Sequence, residues 1–189
     1  MNFYKMSFIT NIKNSIAGYK IKRIRKTERK RSYVDWGKTH RVLLLYSMTN
    51  VPEAVASRIY SELYEILDGC FDEKMNVRLM VCVNKSPVEQ KRFNITVFDA
   101  KTCNFFTSEP EKDIFDIAEE EESDVVINLS PQLSLPLEYL AEYSDAKLKI
   151  SVLKTGKGAK YDMYFSPDSD SVKEVFESIK YYLQKIKAE

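Results

Sequence analysis

Residues 124–152, DVVINLSPQLSLPLEYLAEYSDAKLKISV, contain the pattern that decides the fold. A short apolar run at 124–129 is followed by a polar loop, an apolar helical stretch at 133–143 and a second apolar run at 147–152. A strand, a helix and a strand of this combined length are what a parallel crossover requires. The stretch therefore predicts a βαβ unit within a parallel sheet.

The same alternation continues on both sides of this unit. Almost continuous apolar runs at 41–47 (RVLLLYS) and 77–83 (VRLMVCV) are typical of strands that are buried on both faces. Weaker strand signals lie at 93–98 and 161–165, and helical periodicity covers 55–67, 110–118 and 172–186. The sequence predicts an α/β fold: a three-layer, Rossmann-like domain with a mostly parallel sheet of about five or six strands.

Polar residues ahead of two helical stretches predict where those helices begin. Thr49 and Asn50, followed by Pro52, precede the first of them, and either Asp168 or Ser169 is the expected cap of the last.

Composition and cysteine usage narrow the class of protein. The 189 residues are 44% hydrophobic and 30% charged, with five glycines and six prolines, which excludes collagen-like and wholly disordered chains. Cys70, Cys82 and Cys103 form no CxxC motif, and His40 is the single histidine, so we expect a reducing, cytoplasmic location and neither a metal nor a cofactor. No apolar run is long enough to span a bilayer or to form a signal peptide.

The charge of the chain is divided unevenly. Residues 1–32 hold ten basic residues and one acid, a net charge of +9, whereas residues 33–189 carry −8. Apolar residues at helical spacing in the first segment, from Phe8 to Tyr19, predict a helix over about 4–30. We therefore predict a basic helical extension at 1–32 and a single α/β domain at 33–189.

The basic residues of the extension predict that it is an anion-binding arm. Its cations are concentrated in Lys20, Lys22, Arg23, Arg25, Lys26, Arg29, Lys30 and Arg31. Such a cluster attracts the phosphates of nucleic acid or an anionic membrane surface. In the alternative, Phe8, Ile12 and Ile16 pack on the domain itself or on a second copy of it in a homo-oligomer, and the cations face the acidic body.

Polar residues follow two of the predicted strands and form a candidate ligand site. In an open parallel sheet a ligand lies beyond the carboxyl ends of the strands, where the winding direction switches. If the strands at 41–47 and 124–129 are neighbours, the groups that meet there are Ser47, Thr49, Asn50, Asn128, Ser130, Gln132 and Ser134. In the alternative, Thr49, Asn50, Ser130 and Gln132 cap helices and fill turns.

Catalytic signatures are missing from the sequence. Neither GxGxxG nor GxxxxGK[ST] occurs, and the glycine cluster at 155–158 (TGKG) is not followed by a helix whose amides could bind phosphate. The candidate loop residues include no acid, base or nucleophile pair. No catalytic residues are predicted.

Two resemblances extend this interpretation. The segment from Asp124 through Asn128, Leu140 and Ala146 to Ile150 resembles a βαβ unit of heptosyltransferase-type glycosyltransferases, enzymes that need two facing halves where this chain supplies one. Over nearly its whole length the chain resembles a family of uncharacterised Bacteroidetes proteins with a basic N-terminal helix before a βαβ domain. The features that carry this second resemblance are Asn104-Phe105-Phe106, 124–129, Pro136-Leu137-Glu138-Tyr139, 141–147 and Tyr161-Asp162-Met163.

Taken together, the sequence favours a non-enzymatic interaction or regulatory protein with an anion-attracting arm. The alternative is a small-molecule or nucleotide-sugar binding domain related to one half of a glycosyltransferase.

Overall fold

The computed structural model describes residues 3–24, 29, 31–84, 94–119, 122–153 and 158–186. Its elements, in chain order, are α1 (Phe3–Ile24), a short 3-10 turn (Trp36–Lys38), β1 (Arg41–Ser47), α2 (Glu53–Gly69), β2 (Asn76–Val83), β3 (Ile95–Asp99), α3 (Lys112–Glu119), β4 (Val125–Asn128), α4 (Leu135–Tyr143), β5 (Leu148–Ser151), β6 (Met163–Tyr164) and α5 (Val172–Lys185).

All six strands are parallel and lie in the order β3-β2-β1-β4-β5-β6. The central strand β1 pairs with β2 on one side and with β4 on the other, so Leu44 stands opposite both Leu79 and Ile127. The chain winds outward in opposite directions from β1 and β4, which makes this pair the topological switch point. The predicted three-layer, Rossmann-like α/β fold is confirmed, as is the contact between the strands at 41–47 and 124–129.

Both faces of the sheet are buried, which explains why its central strands are apolar without interruption. Leu44 and Tyr46 pack in the layer beneath α2 and α5, whereas Leu43 and Leu45 pack in the layer beneath α4. Successive side chains of a strand point to opposite faces, so a strand covered on both sides needs an apolar residue at each position.

The helices begin later than the sequence predicts. Pro52, and neither Thr49 nor Asn50, is the N-cap of α2. Ser171 caps α5 by accepting a hydrogen bond from the Glu174 amide, so the prediction of Asp168 or Ser169 was wrong. The physical reason lies in a distant partner, because Glu62 of α2 accepts from the Val172 amide at 2.6 Å and thereby fixes where α5 starts.

Helix α1 lies against α4, and its described part ends at Ile24. Ala17 and Ile21 are fully buried against Leu135 and Tyr139. The predicted continuation to residue 30 falls at 25–28 and 30, outside the described residues.

The packing alternative for the extension needs a correction. Packing of Ile12 and Ile16 on the domain itself is wrong, because they are 43% and 42% exposed, whereas their packing on a second copy stays a prediction; the Phe8 side chain lies outside the described part of the chain. The apolar spacing identified a helix correctly, but the face that packs is the one carrying Ala17 and Ile21.

Candidate functional site

The carboxyl ends of β1 and β4 bring the predicted polar loop residues to one edge of the sheet. Ser47 and Thr49 share a hydrogen bond between their hydroxyl oxygens at 2.9 Å. The Asn84 side-chain amide, after β2, donates to the Thr49 carbonyl. Asn50 is exposed beside them. These contacts are what turn-filling residues make, and the ligand role of this group stays a prediction.

Asn128, at the end of β4, is held by protein partners on every side. Its Nδ2 donates to Glu138 Oε1 at 3.1 Å and to the Tyr161 hydroxyl at 2.9 Å, and its Oδ1 accepts from the Ser130 amide at 3.0 Å. Both amide hydrogens therefore have an acceptor within the chain. A ligand that accepts a hydrogen bond from Asn128 Nδ2 has to displace Glu138 or Tyr161.

The remaining loop residues after β4 differ in exposure. Gln132 is exposed, whereas Ser130 and Ser134 are buried. Ser134 occupies the N-cap position of α4 but makes no side-chain capping bond to that helix. The Ser130 hydroxyl has no hydrogen-bond partner within the part of the chain that the structure describes.

Glu138 is the central residue that sequence reasoning missed. It lies on α4, 2% exposed, and its carboxylate accepts from Asn128 and from the Tyr161 hydroxyl on Oε1 and from the Ala159 amide, at 2.7 Å, on Oε2. Burial raises the pKa of Glu138 to about 7, against the lowering effect of these three donors. The signal that could have found it is a glutamate between apolar neighbours in the helix LPLEYLAEY.

The α4 glutamates also hold the segment before β6 in place. Glu142 Oε2 accepts from the Lys160 amide at 2.7 Å, and the Lys149 ammonium donates to the Glu142 carbonyl at 3.1 Å. Gly158 lies so close to Glu138 that a Cβ built there would come within 1.9 Å of Oε2. In the glycine cluster at 155–158, Gly158 therefore packs against the Glu138 carboxylate. Residues 155–157 lie outside the described residues.

Several cations of the predicted anion-binding arm have partners within the chain. Arg29 has a side chain only 2% exposed; it donates to the Ala146 carbonyl at 2.6 Å and to both oxygens of Asp162 at 2.5 Å. Arg31 pairs with the same carboxylate at 3.4 Å, and Lys20 pairs with Glu109 at 3.1 Å.

The other cations of the arm divide into two groups. Lys22 and Arg23 are exposed, and the Arg23 guanidinium lies 4.7 Å from the ring centroid of Tyr19. Arg25, Lys26 and Lys30 fall outside the described residues. Whether the arm binds an anionic partner is not tested by these contacts.

Helix α1 presents an apolar stripe to solvent, which we call the α1 stripe: Ile12, Ile16 and Tyr19, 43%, 42% and 59% exposed. Phe105 and Phe106, in the loop after β3, are 71% and 67% exposed. The Lys13 ammonium lies 3.5 Å from the ring centroid of Phe105 and so joins this loop to α1. Among the described helices, none combines the length and the apolar character needed to cross a bilayer.

Comparison with known proteins identifies a family and gives one weak structural likeness. A solved structure, "Crystal structure of RSP in complex with beta-NADH", aligns with a TM-score of 0.38 at 11% identity; the alignment covers 78% of this chain and 61% of that one. Comparison with curated proteins gives no match. A family model matches residues 13–186 and confirms the expected resemblance to an uncharacterised family. The chain belongs to DUF6913, a family of unknown function.

Proposed function

We propose that this protein is a non-enzymatic interaction or regulatory protein that docks on an anionic membrane surface through α1. The observation that carries the proposal is the α1 stripe, an apolar face exposed on a helix whose opposite face is anchored to the α/β layers. A helix that has already buried one apolar face against its own domain does not need a second one for folding.

The geometry of α1 separates the two faces. Ile12 and Ile21 are nine positions apart, which is two and a half turns at 3.6 residues per turn, so they point in opposite directions. Ile21 is fully buried against α4, and Ile12 is 43% exposed. Ile16 and Tyr19 follow Ile12 at the i+4 and i+7 positions and stay on its side.

Cations accompany the exposed face. Arg23 continues the α1 stripe by one more turn, and Lys22 is exposed beside it. A cation near an anionic leaflet contributes about 1 kcal/mol, and burying an isoleucine side chain adds about 1.5–3 kcal/mol. Apolar side chains framed by basic ones are the composition of helices that lie in the membrane interface.

Two other occupants fit the α1 stripe less well. A nucleic-acid backbone uses the cations but offers nothing to Ile12 and Ile16, because backbone binding is electrostatic. A second copy of the same face would bring cations of the same sign together, which opposes association.

Vesicle sedimentation of the full chain tests the proposal. We expect binding to phosphatidylcholine vesicles that contain phosphatidylserine, weaker binding at high salt, and little binding to phosphatidylcholine alone. The double substitution I12S/I16S should reduce binding by at least tenfold, because two apolar side chains are lost from the interface. Tyr181→Ser, which removes an exposed aromatic side chain from α5, is the matched control and should bind normally.

Equal binding by I12S/I16S and the unchanged protein would contradict the proposal. So would salt-sensitive binding to duplex RNA or DNA without binding to vesicles, a result that keeps an anion-directed role but assigns it to nucleic acid. Light scattering of the free protein measures whether it self-associates. A stable dimer that is absent in I12S/I16S would also contradict the proposal and would assign the α1 stripe to self-association.

The adjacency of β1 and β4 supports a second candidate function, binding of a small molecule or a nucleotide sugar by the loops at 47–50 and 128–134. A thermal-shift screen of nucleotides and sugar nucleotides tests it. A stabilising ligand whose effect is lost in Asn128→Ala would support this function, and an unaltered response would remove these loops from consideration.

A further inference from the structure

A cavity of about 360 Å³ opens at the carboxyl edge of the sheet, beside the start of α5; we call it the α5 cavity. It is separate from the α1 stripe and independent of the function proposed for it. Its walls are largely apolar and come from Leu129 after β4, Val152 after β5 and Val175 of α5. A volume of this size falls within the range of small-ligand sites.

Tyr46 of β1 lines the α5 cavity and is only 2% exposed. Among the described residues no hydrogen bond joins its hydroxyl to another group, and this hydroxyl is not one of the fully enclosed unpaired polar atoms. Burial, and then the nearby Glu62 carboxylate, raise the pKa of Tyr46 to about 12, so the phenol is neutral at physiological pH. The hydroxyl of a largely buried tyrosine usually has a partner, and because Tyr46 lines the cavity, a group bound there can supply one.

The rim of the α5 cavity is acidic. Asp168 and Asp170 are exposed at its mouth, and the Ser169 hydroxyl between them already donates to Glu174 at 2.5 Å. Arg58 lies on the neighbouring helix, but it pairs with Glu62 at 3.7 Å. The local charge is therefore unfavourable for an anion and favourable for a cation.

The backbone amides at the N-terminus of α5 do not offset the negative charge of this rim. The Val172 amide donates to Glu62 at 2.6 Å, and the Glu174 amide donates to the Ser171 hydroxyl at 3.3 Å. A phosphate or carboxylate ligand would have to displace these acceptors before it could use the helix N-terminus, although helix N-termini are otherwise good anion sites.

We propose that the α5 cavity binds a small organic amine. The ammonium group lies between Asp168 and Asp170 at the mouth, and the apolar body packs against Leu129, Val152 and Val175. A polar atom on that body hydrogen-bonds to the Tyr46 hydroxyl. The combination of apolar walls with a few polar groups that fix orientation is the usual construction of a ligand site.

Isothermal titration calorimetry of the full chain tests this site with three probes of matched shape. Tyramine carries an ammonium group and a phenol hydroxyl, phenethylamine lacks the hydroxyl, and tyrosol has a neutral hydroxyl in place of the ammonium. We expect saturable binding of tyramine, with tyrosol about tenfold weaker because it cannot pair with the rim carboxylates.

Variants separate the contributions. D168N/D170N should weaken tyramine about tenfold and leave tyrosol unchanged, since only the ionic contacts are removed. Tyr46→Phe should weaken tyramine about fivefold and phenethylamine far less, because it deletes one hydrogen bond to the ligand. D113N/D116N, which removes two carboxylates from α3, is the control and should bind all probes normally.

Three results overturn the proposal: no saturable binding by either amine, equal affinity for tyramine and tyrosol, or unchanged tyramine affinity in D168N/D170N. Because Asp168 and Asp170 are exposed, their replacement leaves the packed layers intact, and an unaltered circular-dichroism spectrum verifies this. I12S/I16S should bind tyramine normally, so failure of the membrane proposal and failure of this one are distinguishable.

Discussion

Replacing Glu138 with glutamine is expected to flatten the pH dependence of stability between pH 4.5 and pH 7. The folded chain holds the Glu138 proton more tightly than the unfolded chain does, because burial raises its pKa from 4.5 to about 7. The stability that this proton contributes is fully present below pH 4.5. It is lost as the pH rises through about 7, because ionised Glu138 is then desolvated and no cation among the described residues pairs with it.

The difference between 4.5 and about 7, at about 1.36 kcal/mol per pH unit, amounts to about 3 kcal/mol of unfolding free energy. That is a substantial part of the 5–15 kcal/mol by which domains of roughly this size are stable. The neutral glutamine keeps one acceptor oxygen for the three donors around it, so Glu138→Gln also lowers stability at low pH. The pH dependence is the informative quantity, because the lost hydrogen bonds affect the variant equally at each pH.

Urea denaturation of both proteins at pH 4.5 and at pH 8 measures this difference. We expect the unchanged protein to lose about 3 kcal/mol more than Glu138→Gln over that interval. Glu177→Gln, at an exposed position of α5, is the control and should follow the unchanged protein. Identical pH dependence in the unchanged protein and in Glu138→Gln would refute the reasoning.

Two further substitutions test the contacts around the segment before β6. Gly158→Ala places a Cβ 1.9 Å from Glu138 Oε2 and should cost about 1–3 kcal/mol of unfolding free energy in urea denaturation. Gly69→Ala, where nothing lies within 4 Å of the new Cβ, should be neutral or stabilising, and equal effects at the two positions would contradict the prediction. Asp162→Asn removes the carboxylate charge that pairs with Arg29, whose side chain is 2% exposed. This substitution should lower the unfolding free energy by about 3 kcal/mol, and high salt should not cause the same loss in the unchanged protein.

The sheet could be predicted because its signal is local. Strands covered on both faces need an apolar residue at each position, and the runs at 41–47 and 124–129 show this directly. The start of α5 could not be predicted in the same way. Asp168, Ser169 and Ser171 are all acceptable caps by residue type, and Glu62, more than 100 positions earlier in the chain, selects among them.

The functional groups were harder to predict than the fold. Helical spacing identified apolar residues along α1, but it could not tell that Ala17 and Ile21 face α4 while Ile16 faces solvent, because that depends on where α4 lies. Glu138 illustrates a second limit. A glutamate in a helix is usually solvated, and its burial follows from donors at positions 128 and 161 that only the folded chain brings to it.

The depth of the α1 stripe at a lipid surface tests the central claim most directly. A nitroxide at Ile16→Cys, with the three native cysteines buried, reports its environment through collisions with oxygen and with a polar nickel complex. On phosphatidylserine-containing vesicles we expect the label at position 16 to become accessible to oxygen and protected from nickel, while a label at Tyr181→Cys stays in water. A label at position 16 that remains equally accessible to nickel with and without vesicles would contradict the account.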